Sequence, residues 1–414
     1  MSIGAKPHDA GPLHVSGEAR YTDDIPLPAN AAHLAFGMAE IACGRFTKLD
    51  LEAVRASAGV IAVLTAQDIP FCNDGSPAAH DEPVLSEGEI KFLGQPLFCV
   101  VADTHLNARK AARKADVGYE EETPVLTMDE AIAANDLLEE PIVYQRENAA
   151  DAIKAAPHHL TGRIEMGGQE HFYLEGQAAI AIPQENGDML IHSSTQHPAE
   201  IQHKVAENLG VPFHSVRCET RRMGGGFGGK ESQSNHLAII CAVAAQITGR
   251  PCKMRYDRDD DFILTGKRHD FRIDYAVGFD ADGCILGVEM DHHVRCGWTQ
   301  DLSLAICDRA LLHSDNAYFL PAVRITSNRY RTNMVSATAF RGFGGPQGMV
   351  AIERIIDDIA AHLKRDPLDI RRVNFYQNGQ VTHYGQTLED CVIDDMVEKP
   401  VSYTHLTLPT TPYV

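Results

Sequence analysis

Residues able to do chemistry gather in four short stretches of this chain. RMGGGFGGKE (222–231) sets five glycines in six positions between Arg222 and the pair Lys230–Glu231. Two phosphate-binding patterns fit it at once. Gly224, Gly229 and Lys230 match G-x-x-x-x-G-K, and Gly224, Gly226 and Gly229 match G-x-G-x-x-G. Such glycine density makes both matches cheap. Where a nucleotide loop needs a Ser or Thr hydroxyl for magnesium, the chain has Glu231, whose carboxylate repels a triphosphate. The segment leading in carries Arg217, Arg221 and Arg222 rather than an apolar run, and a dinucleotide fold's ribose-binding acid about 20 positions on is missing. The stretch reads as a nucleotide loop, as a turn bringing two backbones close, or as a loop pressed against a bulky cofactor. The third reading fits the residues best.

A second stretch, TAFRGFGGPQ (338–347), repeats Gly-Phe-Gly-Gly beside Arg341. Two such frames suggest two loops flanking one ligand, with glycine allowing close approach and Phe227 and Phe343 offering ring faces. Core packing is the plainer reading of a single Phe, and the matching frames weaken it. The third stretch, GGQEHFYLEGQ (167–177), places Gln169, Glu170 and His171 ahead of an expected strand. Gln169 can donate an amide hydrogen bond to a ligand oxygen, although taken alone the stretch reads as a hydrated turn. The fourth, DRALLHSDN (308–316), offers Arg309 at the head of a helical turn, or as an ordinary surface arginine. His292 and His293 are adjacent on a strand and face opposite sides, so neither is assigned to a metal.

The elements around these stretches are legible from pattern. VIAVLTAQDI (60–69) and PLFCVVAD (96–103) read as buried strands, and THLNARKAARKAD (104–116) as a helix opened by Thr104. GQAAIAIP and DMLIHSST alternate as strands around the turn QENGD. SVRCETRR leads into the first glycine loop as a strand. A helix over 231–251 leads out, closed by Gly249 and Pro251. Residues 274–294 read as a hairpin turning at Asp-Ala-Asp-Gly, and 349–363 as a helix with Ile352, Ile355, Ile356, Ile359 and Leu363 on one stripe.

The 414 residues suffice for two or three domains. A net charge of -20 argues against nucleic acid or an anionic membrane as the main partner, since both need a basic footprint. The longest apolar run, Leu237 to Ala245, is too short to span a bilayer, and the N-terminus lacks a signal pattern, so a cytoplasmic protein is expected. Ten cysteines without any C-x-x-C suit neither zinc nor an iron–sulfur cluster and are expected reduced.

GGQEHFYLE, RRMGGGFGGKE, DRALLHSDN and TAFRGFGGPQ, in this order and spacing, together with GEARYTDDIP (17–26), resemble the molybdenum hydroxylase family of xanthine oxidase type over roughly residues 8–398. The resemblance implies an α+β fold: an α/β hammerhead domain over 8–130, a connecting segment over 131–160, and the first half of a molybdopterin-binding region over 161–400. VSYTHLTLPTTPYV (401–414), without Asp, Glu, Lys or Arg, is expected to be a non-native tail. By the match, Gln169 would hydrogen-bond an oxygen ligand of molybdenum. Phe227 and Gly228 would lie against the molybdopterin, their backbone N–H groups serving it. Arg341 would touch the metal–pterin region, and Phe343 would stack on a flat substrate. Glu231 and Arg309 stand where purine-hydroxylating members have Glu and Arg and aldehyde oxidases typically have apolar residues, which implies hydroxylation of hypoxanthine and xanthine to urate. The family's general-base Glu falls beyond this chain, so the chain alone is expected to be inactive. Iron–sulfur clusters and FAD are expected on a partner subunit of a heteromer, with NAD as acceptor. An aldehyde or another N-heterocycle as substrate, and a P-loop nucleotide-binding protein, are the competing readings.

Overall fold

A computed structural model describes residues 8–404. Among the described residues three sheets form the frame. The largest has seven strands in the order Val216–Glu219, Met189–Ser193, Ala178–Pro183, Cys252–Arg255, Ala32–Met38, Pro96–Ala102, Val60–Leu64. Its middle is the parallel pairing of Ala32–Met38 with Cys252–Arg255, which joins strands 220 positions apart, as in Ala32 opposite Cys252. The sheet therefore runs across residue 130. Strand Pro96–Ala102 is buried at every position, which explains its unbroken apolar sequence.

Helix Asn235–Thr248 packs on strand Ala178–Pro183 of this sheet. Every residue from Leu237 to Ala245 is at most 1% exposed, so the helix is apolar all round because it is covered all round. Gly249 closes it in the left-handed region at φ +64°. Thr104 caps helix His105–Ala112 by accepting from the Asn107 N–H.

A five-stranded sheet runs Ile142–Arg146, Val323–Arg331, Ile285–Gly297, Asp270–Phe279, His158–Met166. Its central hairpin turns at Asp280–Gly283, as the sequence predicts, with Gly283 at φ +86°. Helix Gly345–Leu363 lies against it with Ile352, Ile355, Ile356 and Ile359 fully buried. A small third sheet joins Glu89–Ile90, Gly44–Asp50 and Asp116–Glu121.

Four details differ from the sequence reading. The stretch 131–160 carries more than a connection: strand Ile142–Arg146, helix Ala149–Ala155 and the start of strand His158–Met166 complete the second sheet. The helix expected from residue 231 begins at Asn235. Residues 231–234 form turns closed by Glu231 N–H to Gly228 O and Asn235 N–H to Ser232 O, while the Ser232, Gln233 and Ser234 side chains bond elsewhere. Residues 167–177 are irregular, and the strand starts only at Ala178. Arg309 sits in the last turn of helix Ser303–Leu312, not at its head. Residues 405–414 of the suspected tail lie outside the described residues.

Candidate cofactor site

The two Gly-Phe-Gly-Gly frames adopt one backbone turn. Phe227 has φ +55° and Gly228 +100°; Phe343 has φ +50° and Gly344 +88°. In each, an N–H two residues beyond the Phe closes the turn, from Gly229 to Gly226 O at 2.8 Å and from Gly345 to Gly342 O at 3.1 Å. A left-handed Phe is strained. Its repetition in both loops shows that position and ring direction are held by more than local preference.

The loops meet through the backbone. The Arg341 N–H donates to Phe227 O at 2.8 Å. A Cβ on Gly228 would fall 2.6 Å from Ala339 O, so only glycine permits this approach. The 167–177 segment joins them. His171 donates from Nε2 to Ala339 O at 2.7 Å, which leaves Nδ1 as a buried acceptor without a partner. A Cβ on Gly229 would strike the same imidazole at 2.6 Å. Burial is the main reason the His171 pKa is lowered.

Arg268 ties Gln169 to the second loop. Its Nε donates to Gln169 Oε1 at 3.0 Å, its Nη2 donates to Arg341 O at 2.9 Å, and its guanidinium lies 3.9 Å from the Phe340 ring centre. The exposed Gln169 thus spends its acceptor on the protein and keeps its amide N–H groups for a ligand. Sequence reasoning missed Arg268, because a lone arginine in GKRHDF has no distinguishing spacing. It also missed Gln196, whose Oε1 accepts from Gly228 N at 2.8 Å. The Gly228 N–H, expected to serve the cofactor, is thus engaged by Gln196 in this structure. The N–H groups of Gly225, Gly226 and Phe227 have no acceptor among the described residues.

Lys230 turns inward. It is fully buried, pairs with Glu175 at 3.2 Å and sits 4.7 Å from the Tyr173 ring centre. Burial, opposed by Glu175, lowers its pKa. A P-loop lysine must face its phosphates. This one faces the core, so the nucleotide-loop reading fails on geometry as well as on Glu231.

Glu231 is half-buried. Burial lifts its pKa, His197 works against the rise and Glu200 adds to it. Arg309 is exposed on helix Ser303–Leu312, and its Nε donates to His313 Nε2 at 3.3 Å. This helix packs against the second loop so closely that a Cβ on Gly344 would fall 2.0 Å from Ile306 O. Arg309 therefore stands beside the Phe343 turn, and among the described residues it has no carboxylate partner. Among the described residues no hydrogen bond or ion pair joins Glu231 to Arg309.

The donor set fits a molybdopterin. Three unpaired loop N–H groups, the Gln169 amide and the buried unpartnered Arg268 Nη1 suit a ligand rich in acceptors. Among the described residues, the one grouping with metal-ligand chemistry is Cys72, Asp74 and Glu207, outside these loops. A metal here must bring its own ligands, as molybdenum does when carried by a pterin.

Comparison with known proteins agrees. The family model for the molybdopterin cofactor-binding domain matches residues 134–375, and that for the aldehyde oxidase and xanthine dehydrogenase a/b hammerhead domain matches residues 16–123. The chain belongs to this family of molybdopterin-binding oxidoreductases, with the hammerhead and molybdopterin-binding folds expected from its motifs. Among its relatives, the xanthine dehydrogenase of Drosophila subobscura is 42% identical over 390 residues, covering 94% of this chain and 29% of the relative. Xanthine dehydrogenase 1 of Arabidopsis thaliana is 40% identical over 402 residues, covering 95% and 29%. The solved aldehyde oxidoreductase of Desulfovibrio gigas superposes with a TM-score of 0.90 at 28% identity, covering 96% of this chain and 46% of that one. The chain thus spans 29% of the length of these curated relatives.

Proposed function

We propose that the chain is the molybdenum-cofactor part of a xanthine dehydrogenase, oxidising hypoxanthine and xanthine to urate. The observation that carries this reading is the convergence of the 167–177, 222–231 and 338–347 segments on one set of unpaired donors, with Glu231 on the first loop and Arg309, which has no carboxylate partner among the described residues, beside the second. When bound, the molybdenum group supplies the two-electron oxidation of a ring carbon. The chain's own residues bind and polarise. Gln169 offers its amide to an oxygen ligand of the metal, and Phe227 lines the cofactor with the free N–H groups of its loop. Arg341 borders the metal–pterin region, with its backbone already clamped between Phe227 and Arg268. Phe343 gives the flat substrate a ring face.

The purine assignment rests on Glu231 and Arg309. Arg309, unmatched by a carboxylate, stabilises negative charge spreading onto a purine carbonyl as the ring is attacked. Glu231, with its pKa raised by burial, holds a proton more readily than an exposed glutamate and can share it with a ring nitrogen. A site that hydrogen-bonds a purine edge penalises a substrate without one. Glu231→Ala and Arg309→Met should each lower purine kcat/KM by about 100-fold or more, the loss of one transition-state hydrogen-bonding group, while sparing aldehydes. Equal losses on both substrates would refute the assignment. The aldehyde oxidoreductase reading draws on the 0.90 TM-score likeness, and the same pair of variants separates the two.

We further propose that the functional boundaries are 8–130 for the hammerhead and 161–400 for the cofactor region. The continuous seven-stranded sheet makes this a partition of roles rather than of cores. Electrons leave to an iron–sulfur and FAD partner in a cytoplasmic heteromer and then to NAD. The ten cysteines, free and scattered among the elements, support placing the clusters on another part of the assembly. No helix among the described residues is long and apolar enough to cross a membrane.

A further inference from the structure

Behind the glycine loops lies a buried polar knot that no step above uses. Asp301, 2% exposed, has φ +40°, in the left-handed region. Its Oδ1 accepts from the Ser232 hydroxyl and its Oδ2 from Gln233 Nε2 at 3.5 Å; the Thr338 hydroxyl donates to it as well. Ser232 Oγ also lies 3.3 Å from Thr338 Oγ1. Gln233 Oε1 in turn accepts from Gly266 N at 2.7 Å. Each partner borders a functional segment. Ser232 directly follows Glu231, Thr338 opens the loop that carries Arg341 and Phe343, and Gly266 precedes Arg268 by two residues.

The knot reaches the N-terminal half of the chain. The Thr299 hydroxyl donates to Glu82 Oε2 at 3.2 Å, and Gln300 N donates to Asp81 Oδ2 at 2.9 Å. The Thr299 N–H donates to Ser336 Oγ at 3.2 Å, two residues before Thr338. A buried carboxyl on a left-handed backbone is costly on both counts. An apolar residue there would avoid the cost of the buried carboxyl but not that of the left-handed backbone, and it would leave the Ser232 and Thr338 hydroxyls with no common acceptor.

We propose that Asp301 is a positioning residue for substrate selection: by gathering Ser232 and Thr338 at one carboxyl, it fixes Glu231 relative to the loop that carries Phe343. The inference rests on the reading of Glu231 as the group that meets the purine edge. Asp301 touches neither cofactor nor substrate. It acts through the residue next to Glu231, so losing it should loosen purine recognition before it loosens the cofactor.

The test uses the purified, molybdenum-loaded protein and its Ser232→Ala, Asp301→Asn and Asp301→Ala variants. Molybdenum per chain is measured by elemental analysis, and urate binding, with no turnover required, by calorimetry. Ser232→Ala should raise the urate Kd roughly tenfold with molybdenum per chain unchanged, as expected when one charge-assisted hydrogen bond is misplaced. Asp301→Ala should raise it at least as much. Asp301→Asn should fall between them and wild type, because it keeps an acceptor for Ser232 but turns an amide N–H toward Gln233 Nε2. If Asp301→Ala does not fold, Ser232→Ala, which removes one hydroxyl, decides. Wild-type binding with an unmoved Kd in Ser232→Ala, or a Kd that rises only in step with lost molybdenum, overturns this proposal alone. Failure of loaded wild type to bind urate overturns the purine reading and this inference with it.

Discussion

At the scale of single residues, the site is a set of donors whose protein acceptors are missing and of charges whose partners are missing. Arg268 is the clearest case of a residue whose role depends on where it sits. Its Nε and Nη2 bridge Gln169 and Arg341, and its Nη1 is buried without a partner. Arg268→Ala should cost roughly 10- to 100-fold in cofactor retention, as removal of supporting groups around a metal centre commonly does. Molybdenum per purified chain is the measurement, and full occupancy in the variant would remove Arg268 from the site. Residue types in quoted motifs were legible here: Glu231 in place of a magnesium hydroxyl pointed away from nucleotides before any geometry was known. What sequence could not show was direction. Lys230 looked like a phosphate ligand and is a core residue paired with Glu175. The Gly228 N–H looked available and is held by Gln196.

At the scale of elements, two loops of the same turn are locked face to face, and glycine is what allows the contact. Gly228→Ala would place a methyl 2.6 Å from Ala339 O at a backbone φ of +100°. The strain alone costs roughly 1–3 kcal/mol, and the loops must separate to relieve the clash. Thermal melting should show the loss of stability, and molybdenum content should fall with it. A Gly228→Ala protein with wild-type melting and full molybdenum would mean the loops are not braced against each other. Helices and strands with strong period were readable in advance: the isoleucine stripe of Gly345–Leu363, the hairpin turning at Asp280–Gly283, the capped start at Thr104. The starts nearest the site were not. Residues 231–234 are expected to open the helix, yet the Ser232, Gln233 and Ser234 side chains bond Asp301, Gly266 and Gln177, and the helix begins only at Asn235.

For the whole molecule, pairing across sequence distance decides both architecture and response to acid. Strand Ala32–Met38 joins Cys252–Arg255, and Ile142–Arg146 joins Val323–Arg331; no local pattern announces either. The same long-range packing buries histidines. His292 is fully buried in the second sheet, and its pKa falls to about 3, chiefly through burial, with the neighbouring His293 and His383 adding to the fall. Between pH 3 and 6.5 the unfolded chain binds the extra proton and the folded one does not. Stability from this site is therefore present above pH 6.5 and is lost as pH falls toward 3, at up to about 1.4 kcal/mol per pH unit. The stability of His292→Asn relative to wild type should rise as pH drops through that window. A constant difference in denaturation midpoint across it would show that His292 is protonated in the fold. The central claim, that the converging loops hold a molybdopterin, is tested most directly by composition. Native protein carrying this chain should contain about one molybdenum per chain, together with a pterin that fluoresces after oxidative release, and should not bind ATP. Protein that is folded, free of molybdenum and pterin, and able to bind ATP would contradict it.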